Sequence, residues 1–311
     1  MKRFITFILC LVVAFDIIDN KYLNKKYTNY IKNYFYSKKY DLVINNDSLK
    51  DSKYKYNQLS ETVKETDNFY PSNKTELLDI YYTFLNNGLN DFTYYCNKNY
   101  TNCFKDLKEV SEDANIFSYV NQLVHPYNSF KEINSRYNRL TRRVDINIEK
   151  KYSEEEIKKI DKRIDDIINE LNINNYTKVE DKIMVFHDYL ASINKYDKQK
   201  ETKTSKYNSD TAIGTLFEGF SVCSGYSDTL AIFLNKLGLE NVKVITDKHA
   251  WNAVKINNTW YHIDLTWDDP IVTDGSDIIT HDYFLLTTHD LLVKDSLEHN
   301  YDRTDYSFLT K

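Results

Sequence analysis

Several features that identify common protein classes are missing from this 311-residue sequence. Proline, glycine and methionine are scarce, at 3, 6 and 2 residues, whereas tyrosine is abundant at 27. There is no long basic block and the net charge is only −5, so the sequence gives no sign of nucleic-acid binding. No pair of C-x-x-C motifs is present, which argues against a structural zinc site. The acidic turn at 268–277 lacks the spacing of an EF-hand loop, and we interpret it as a plain turn rather than a calcium site.

The N-terminal apolar run, Phe4–Phe15, follows Lys2 and Arg3 and ends at Asp16. A basic start before a short apolar core is typical of a secretory signal, and the run is too short for a membrane span. No small-x-small cleavage site follows, so an uncleaved anchor is the alternative. We therefore predict that residues 1–18 export the protein to the cell surface or the medium. In this interpretation the N-terminal segment is its only contact with a membrane.

The remaining chain is long enough for one large or two modest domains, and its composition divides it into four parts. Residues 19–70 are polar without a sustained apolar period, and we predict a tether there. Residues 71–150 show the signals of a small α/β module. Residues 151–290 carry helix and strand signals that we assign to the main domain. Residues 291–311 form a polar C-terminal tail that we expect to pack on the surface.

Local signals place secondary structure in both folded parts. Helix-start signals occur at Asn73 with Glu76, Ser153 with Glu156, and Thr177 with Glu180. Alternation predicts a strand at Arg143–Ile148, and Asp282–Leu286 is the predicted final strand. We interpret His125, before Pro126, as a turn residue and His187 as a structural imidazole beside an apolar stripe.

The four cysteines fall into distinct settings. Cys10 lies in the targeting segment, whereas Cys96 and Cys103 are close together in CNKNYTNC and can close a small disulfide loop outside the cytosol. The alternative is that both are reduced and buried. Cys223 is then the odd thiol and the candidate reactive residue.

Residues 219–270 concentrate the unusual residue types. All three tryptophans lie there, and five of the six glycines lie beyond residue 210. An apolar stripe after Cys223 predicts a helix that ends at Gly238, with Ser221 as its N-cap. Cys223 would then lie in the first turn, where free backbone N–H groups and the helix dipole favour a thiolate.

A short strand at Val242–Thr246 and a hairpin are predicted to follow this helix. The hairpin arms are His249–Ile256 and Thr259–Leu265, joined by the loop Asn257-Asn258. Asparagine is a residue that tolerates the positive φ of such turns. A two-residue loop places His249 and Asp264 on the same face of the hairpin as diagonal neighbours. A three-residue loop without a bulge would place them on opposite faces.

This order and placement suit a thiol nucleophile, a base and an orienting carboxylate: Cys223, His249 and Asp264. Taken singly, each residue has a simpler explanation, a core cysteine or a hydrogen-bonded structural histidine. A zinc site that adds His262 to these three is a poor alternative, because a metal would quench the thiol. We predict no metal and no cofactor.

At these residues the sequence resembles the transglutaminase-like superfamily of Cys-His-Asp enzymes. The matching motifs are VCSGYSD, HAWN and WYHIDLTWDDP, and the resemblance covers roughly residues 150–290. It implies that Cys223 is the nucleophile, His249 the base and Asp264 its orienting partner. It also implies an α+β fold with a papain-like core, in which the helix bearing the cysteine packs on an antiparallel sheet.

The resemblance leaves the reaction open, because the superfamily contains cross-linking enzymes, peptidases, amidases and members that have lost catalysis. The expected substrate is an amide group of a protein or peptide, such as a cell-wall or surface protein. Trp251 and Trp267 are candidate walls of the substrate cleft, and Tyr226 and Asn252 are candidate helpers. The alternative function is a non-catalytic module that binds surface or cell-wall proteins with a vestigial triad.

Overall fold

The structure is a computed structural model that describes residues 53–310, except residues 58, 61, 201 and 272–277. The predicted signal segment and residues 19–52 of the predicted tether lie outside the described residues. None of the helices in the described part of the chain has the length and hydrophobicity needed to span a bilayer.

The described remainder of the predicted tether has no helix or strand, yet it is packed against other residues. Val63 and Phe69 are buried there, and the Tyr54 hydroxyl donates a hydrogen bond to Asp161 at 3.0 Å. Ser52–Lys311 accordingly forms one compact unit. The apolar side chains in this stretch explain why these residues pack, unlike the polar tether that the composition predicts.

The helices and strands are numbered here in chain order. The helices are α1 Lys74–Asn86, α2 Cys103–Glu112, α3 Ala114–Gln122, α4 Glu154–Glu170, α5 Val179–Ile193, α6 Cys223–Lys236, α7 Leu265–Asp268 and α8 Thr288–Lys294. The strands are β1 Asp91–Tyr95, β2 Phe130–Asn138, β3 Arg143–Lys150, β4 Lys195–Tyr196, β5 Phe220–Ser221, β6 Asn241–Ile245, β7 Ala250–Ile256 and β8 Thr259–Ile263.

The first sheet is antiparallel and has the strand order β1-β3-β2. The predicted cap of α1 is confirmed, because the Asn73 side chain accepts the Glu76 N–H at 2.9 Å. The strand predicted at Arg143–Ile148 is confirmed as β3. A disulfide joins Cys96, just after β1, to Cys103, the first residue of α2, as the cysteine spacing allowed.

Two helices lead from this sheet to the second half of the fold. The capping box of Ser153 and Glu156 at the start of α4 is confirmed in both directions. The second predicted box, Thr177 with Glu180, is wrong. Helix α5 begins after Lys178, whose side chain makes no cap, so this helix depends on its buried stripe instead.

The second half of the fold packs α6 against an antiparallel sheet with the strand order β6-β7-β8. Phe233 of α6 stacks on Phe186 of α5, with ring centroids 3.8 Å apart, so α5 covers another part of the α6 surface. Both aromatic rings are fully buried. A cysteine-bearing helix on an antiparallel sheet confirms the predicted α+β class.

The chain after this sheet differs from the prediction. Residues 282–286 form no strand but only a single bridge between Leu286 and His262, since Leu285 has φ 52° and breaks the extended run. The last residues, expected at the surface, contribute buried side chains: His299, Tyr301, Tyr306, Phe308 and Leu309. The segment is polar on average, and this average gave no indication that its few large aromatic and apolar side chains would be buried.

Candidate active site

Cys223 is the first residue of α6 and the only free cysteine among the described residues. The residue is partly exposed, as a group that reacts with an external molecule must be. The predicted cap is wrong, because Val222 is the N-cap and the Ser221 hydroxyl lies instead 2.8 Å from the Thr215 hydroxyl. The first turn of a helix nevertheless keeps uncommitted N–H groups, which favour negative charge close to this sulfur.

Gly225 lets the chain pass unusually close to this first turn. A Cβ atom at this position would lie 2.2 Å from the carbonyl oxygen of Ser209 and 2.7 Å from the Ser221 hydroxyl. Any side chain would therefore push α6 away from the loop that precedes it. Gly225 lies within the VCSGYSD motif, but the motif alone does not reveal this close contact.

The β7–β8 hairpin brings His249 and Asp264 together as predicted. Asn257 and Asn258 both have positive φ, at 50° and 65°, and form the expected two-residue loop. His249 lies one residue before β7, and Asp264 lies one residue after β8. The prediction placed Asp264 on the second strand of the hairpin. In the structure it lies just after that strand and is the N-cap of α7.

The two side chains form a buried pair. His249 Nε2 lies 2.5 Å from Asp264 Oδ2, and the two residues are only 8% and 1% exposed. The other carboxylate oxygen, Oδ1, accepts the backbone N–H groups of Thr266 at 3.0 Å and Trp267 at 3.3 Å. Capping α7 thus fixes the plane of the carboxylate that holds the imidazole.

The electrostatics of this pair favour an imidazolium. Burial alone would lower the pKa of His249, but the Asp264 carboxylate and a hydrogen bond with Cys223 outweigh it and raise the pKa to about 10. Burial likewise opposes ionisation of Asp264, yet the contacts with His249 and His299 lower the pKa of its carboxyl below 3.8. Since Nε2 faces Asp264, Nδ1 is the ring nitrogen left to face the Cys223 sulfur. These side chains can move a proton between sulfur and imidazole.

The two candidate cleft tryptophans have different environments. Trp251 is 1% exposed and stacks on His249, with ring centroids 5.7 Å apart. Trp267 is 40% exposed and presents its ring nearly perpendicular to His249 at 6.5 Å. Trp251 thus supports the imidazole from inside the protein, and Trp267 is the one that an incoming substrate can touch.

The other two cleft candidates lie inside the scaffold. Asn252 is buried and its amide donates to the carbonyl of Ser227 on α6 at 2.9 Å, which links β7 to the helix. Tyr226 is also buried, and its hydroxyl donates to the Asp269 carboxylate. Both side chains hold the elements around Cys223 in place through these bonds.

His299 joins the site from the C-terminal segment. Its Nε2 lies 2.8 Å from Asp264 Oδ2, the oxygen that also meets His249. Its ring is fully buried and stacks on Tyr283, with centroids 5.4 Å apart. His299 was not predicted as a site residue, because it follows Asp264 by 35 positions in a segment without a motif. An additional histidine in a polar tail was the only available signal.

His262 does not take part in a zinc set with Cys223. Its Nδ1 accepts the indole N–H of Trp251 at 3.0 Å, and its Nε2 lies 3.0 Å from the Thr288 hydroxyl. Burial, followed by the proximity of His299, lowers the pKa of His262 to about 3, so this imidazole is neutral. Both nitrogens are therefore committed to structural hydrogen bonds.

The described part of the chain contains two clusters of three residues that could bind a metal ion. Within each cluster, the potential ligand atoms lie within 4.8 Å of one another. One is His249, Asp264 and His299, which belongs to the site above. The other is formed by His187, Asp188 and His281. In the second group both imidazoles meet Asp188 Oδ1 at hydrogen-bond distances of 2.9 and 2.7 Å, so hydrogen bonding alone accounts for it.

A buried ionic cluster supports α6 one turn beyond Cys223. Asp228 meets Lys243 of β6 at 2.5 Å and Lys151 at 2.8 Å, and it accepts the Tyr152 hydroxyl at 2.6 Å. Burial would raise the pKa of Asp228, but Lys151 and Lys243 outweigh it and lower the pKa to about 2. The buried pair of Asp228 and Lys243 thus joins the helix to β6, while Lys151 adds a partly exposed charge.

Comparison with known proteins supports this interpretation of the central segment. Residues 169–265 match the family model of the transglutaminase-like superfamily, and this range contains Cys223, His249 and Asp264. A crystal structure described as that of a TGase is 18% identical, with a TM-score of 0.34, over 50% of this chain and 48% of its own. The chain spans about half of that structure's length, and the likeness is too distant to support an inference. No curated protein sequence matches the chain. The central segment of this chain, residues 169–265, is therefore similar to the transglutaminase-like superfamily.

Proposed function

We propose that the protein is a thiol-dependent enzyme that transfers or hydrolyses acyl groups of protein or peptide amides through a thioester on Cys223. The observation that carries this proposal is the buried contact of 2.5 Å between His249 and Asp264, beside a partly exposed cysteine, Cys223, at a helix N-terminus. The match of residues 169–265 to the transglutaminase-like family model supports Cys-based acyl transfer or hydrolysis in general.

The side chains suit each step of such a reaction. The Cys223 sulfur, having given its proton to His249, attacks the amide carbonyl carbon and forms a tetrahedral oxyanion. Backbone N–H groups in the first turn of α6 are positioned to stabilise the oxygen. The C–N bond then breaks as His249 protonates the leaving amine, which leaves a thioester. A second amine gives a cross-link, whereas water gives a free acid, and Asp264 holds the imidazolium throughout.

We propose further that this reaction takes place outside the cytosol, on a cell-wall or surface protein. The disulfide between Cys96 and Cys103 and the signal-like sequence at residues 1–18 support this location. Cell fractionation with mass spectrometry of the N-terminal peptide tests it. Recovery of the chain with reduced cysteines in the cytosol would contradict the proposal.

The reaction is tested by comparing the full chain with Cys223→Ala on a glutamine-bearing protein, with and without a primary amine probe. Intact mass shows whether the probe is incorporated, whether the side-chain amide is hydrolysed, or whether the backbone is cleaved. We expect one of these products with the wild type and none with Cys223→Ala. His289→Ala, which changes an exposed histidine on α8, serves as the matched control and should behave as the wild type. If the wild type gives no product, the chain is better described as a binding module.

A further inference from the structure

His299 lies beyond the matched family segment, yet it is buried against the candidate triad. The segment that carries it follows α8 and returns toward the β7–β8 hairpin. The imidazole is fully buried, and its edge meets the Trp251 ring at a centroid distance of 4.8 Å. Its ring is also perpendicular to that of His249, at 5.5 Å. Tight packing on three aromatic or imidazole rings leaves the His299 ring little freedom to rotate.

The hydrogen bonds of His299 complete the coordination of the Asp264 carboxylate. Oδ2 receives His249 Nε2 at 2.5 Å and His299 Nε2 at 2.8 Å, while Oδ1 receives two backbone N–H groups. Four donors surround the two oxygens, which matches the acceptor capacity of a carboxylate. Without His299, one position on Oδ2 would be open, and the carboxylate could turn or recruit water in place of a fixed donor.

The opposite nitrogen of His299 is held by a second carboxylate. His299 Nδ1 lies 3.2 Å from Asp295 Oδ2, and Asp295 Oδ1 accepts the N–H groups of Leu297 at 3.0 Å and Glu298 at 3.2 Å. The imidazole therefore lies between two carboxylates, each within hydrogen-bond distance of one ring nitrogen. The ring then bridges Asp264 to a backbone turn that is fixed by its own hydrogen bonds.

We propose that His299 is a positioning residue that holds the Asp264 carboxylate in the orientation at which it fixes His249 toward Cys223. It acts through Asp264 and does not touch the reacting atoms. This inference rests on the proposed function, and it extends the candidate site from the three sequence-predicted residues to a fourth supplied by the C-terminal segment. The bond that matters is the one from Nε2 to Asp264, while the bond from Nδ1 to Asp295 anchors the ring.

Two substitutions separate these bonds. In His299→Gln the side-chain amide nitrogen reaches the position of Nε2, so the donor to Asp264 is kept and the donor to Asp295 is lost. In His299→Asn the amide nitrogen reaches the position of Nδ1, so the donor to Asp295 is kept and the donor to Asp264 is lost. Both variants remove the imidazole ring and leave a similar gap among the same aromatic side chains, so they form a matched pair.

The measurement is the rate of Cys223 alkylation by iodoacetamide across pH, followed by intact mass on the full chain. The unfolding free energy of each variant is measured in urea alongside. We expect His299→Asn to slow alkylation at neutral pH by about tenfold to a hundredfold, since a misplaced orienting group has effects of this size. His299→Gln should stay within about threefold of the wild type, even where the two variants lose similar stability.

Equal losses of rate in the two variants, or an unchanged rate in His299→Asn, would overturn the proposal and leave His299 as a packing residue. Alkylation of Cys223 does not require catalytic turnover, so the outcome of this experiment is independent of the outcome of the acyl-transfer assay. A wild type that alkylates rapidly but acts on no amide would refute acyl transfer and retain the role of His299. A wild-type thiol no faster than free cysteine would overturn both.

Discussion

The substitution Asp264→Asn tests how much of the site depends on the charge of one buried side chain. Asparagine keeps Oδ1, which caps α7, and is as good a cap as aspartate, so the backbone should stay in place. It replaces Oδ2 by an NH₂ group that faces His249 at 2.5 Å and His299 at 2.8 Å. The NH₂ group of asparagine and the N–H group of His249 would then both be hydrogen-bond donors facing each other. His249 must therefore change its tautomer or turn away from Cys223.

The size of the effect follows from the imidazolium that Asp264 stabilises. The pKa of His249 is raised from 6.5 to about 10, and at about 1.4 kcal/mol for each pKa unit this favours folding by at most about 5 kcal/mol. Because the pKa is raised in the folded state, this contribution is complete below pH 6.5 and is lost as the pH rises toward 10. Since the lowered pKa of the Asp264 carboxyl keeps it ionised at pH 6, the unfolding free energy of the wild type should exceed that of Asp264→Asn more near pH 6 than near pH 9.

Urea denaturation of both proteins at pH 6 and pH 9 measures this difference. We expect the gap in unfolding free energy to shrink by about 3 kcal/mol between these pH values, since the folded state alone keeps the proton. The rate of acyl transfer or of Cys223 alkylation should fall by about 10³- to 10⁴-fold, the loss expected when an orienting carboxylate becomes an amide. If the difference in unfolding free energy between the two proteins did not depend on pH, or if Cys223 reacted equally fast in both, the stabilising role of Asp264 would be refuted.

Two further predictions concern the scaffold. Lys243→Met leaves Asp228 buried with only Lys151 as its cationic partner, and we expect a loss of about 3–5 kcal/mol in urea denaturation. Combining it with Asp228→Leu should restore much of that loss, because the buried charge itself is removed. Replacing Cys96 and Cys103 by alanine opens a loop with a sequence separation of 7, and should cost about 2–3 kcal/mol. The alkylation rate of the free thiol should not change, and a large decrease would show that the disulfide supports the site directly.

Much of the local structure was predictable because short-range rules decide it. The cap at Asn73 and the capping box at Ser153 were recognised from spacing alone, and both occur in the structure. The loop at Asn257-Asn258 was assigned from the tolerance of asparagine for positive φ, and its length decided that His249 and Asp264 meet. In each case the interacting residues lie within one turn or one hairpin.

Predictions failed where a local signal competed with tertiary packing. Ser221 has the chemistry of an N-cap, but its hydroxyl bonds to Thr215 and the helix begins after Val222. The final strand predicted at 282–286 is interrupted at Leu285, whose φ of 52° lies outside the extended region. A cap or strand propensity worth less than about 1–2 kcal/mol yields to such packing.

The sequence by itself determined the order of the three candidate residues, the hairpin that pairs two of them, and a helix that carries Cys223 in its first turn. Tertiary structure alone decided that Gly225 meets Ser209, that Asp228 is paired to Lys243, and that His299 reaches Asp264. The last contact joins residues 35 positions apart, on segments with no shared periodicity. Such contacts depend on how whole elements pack, and no local pattern of residues encodes the distance between them.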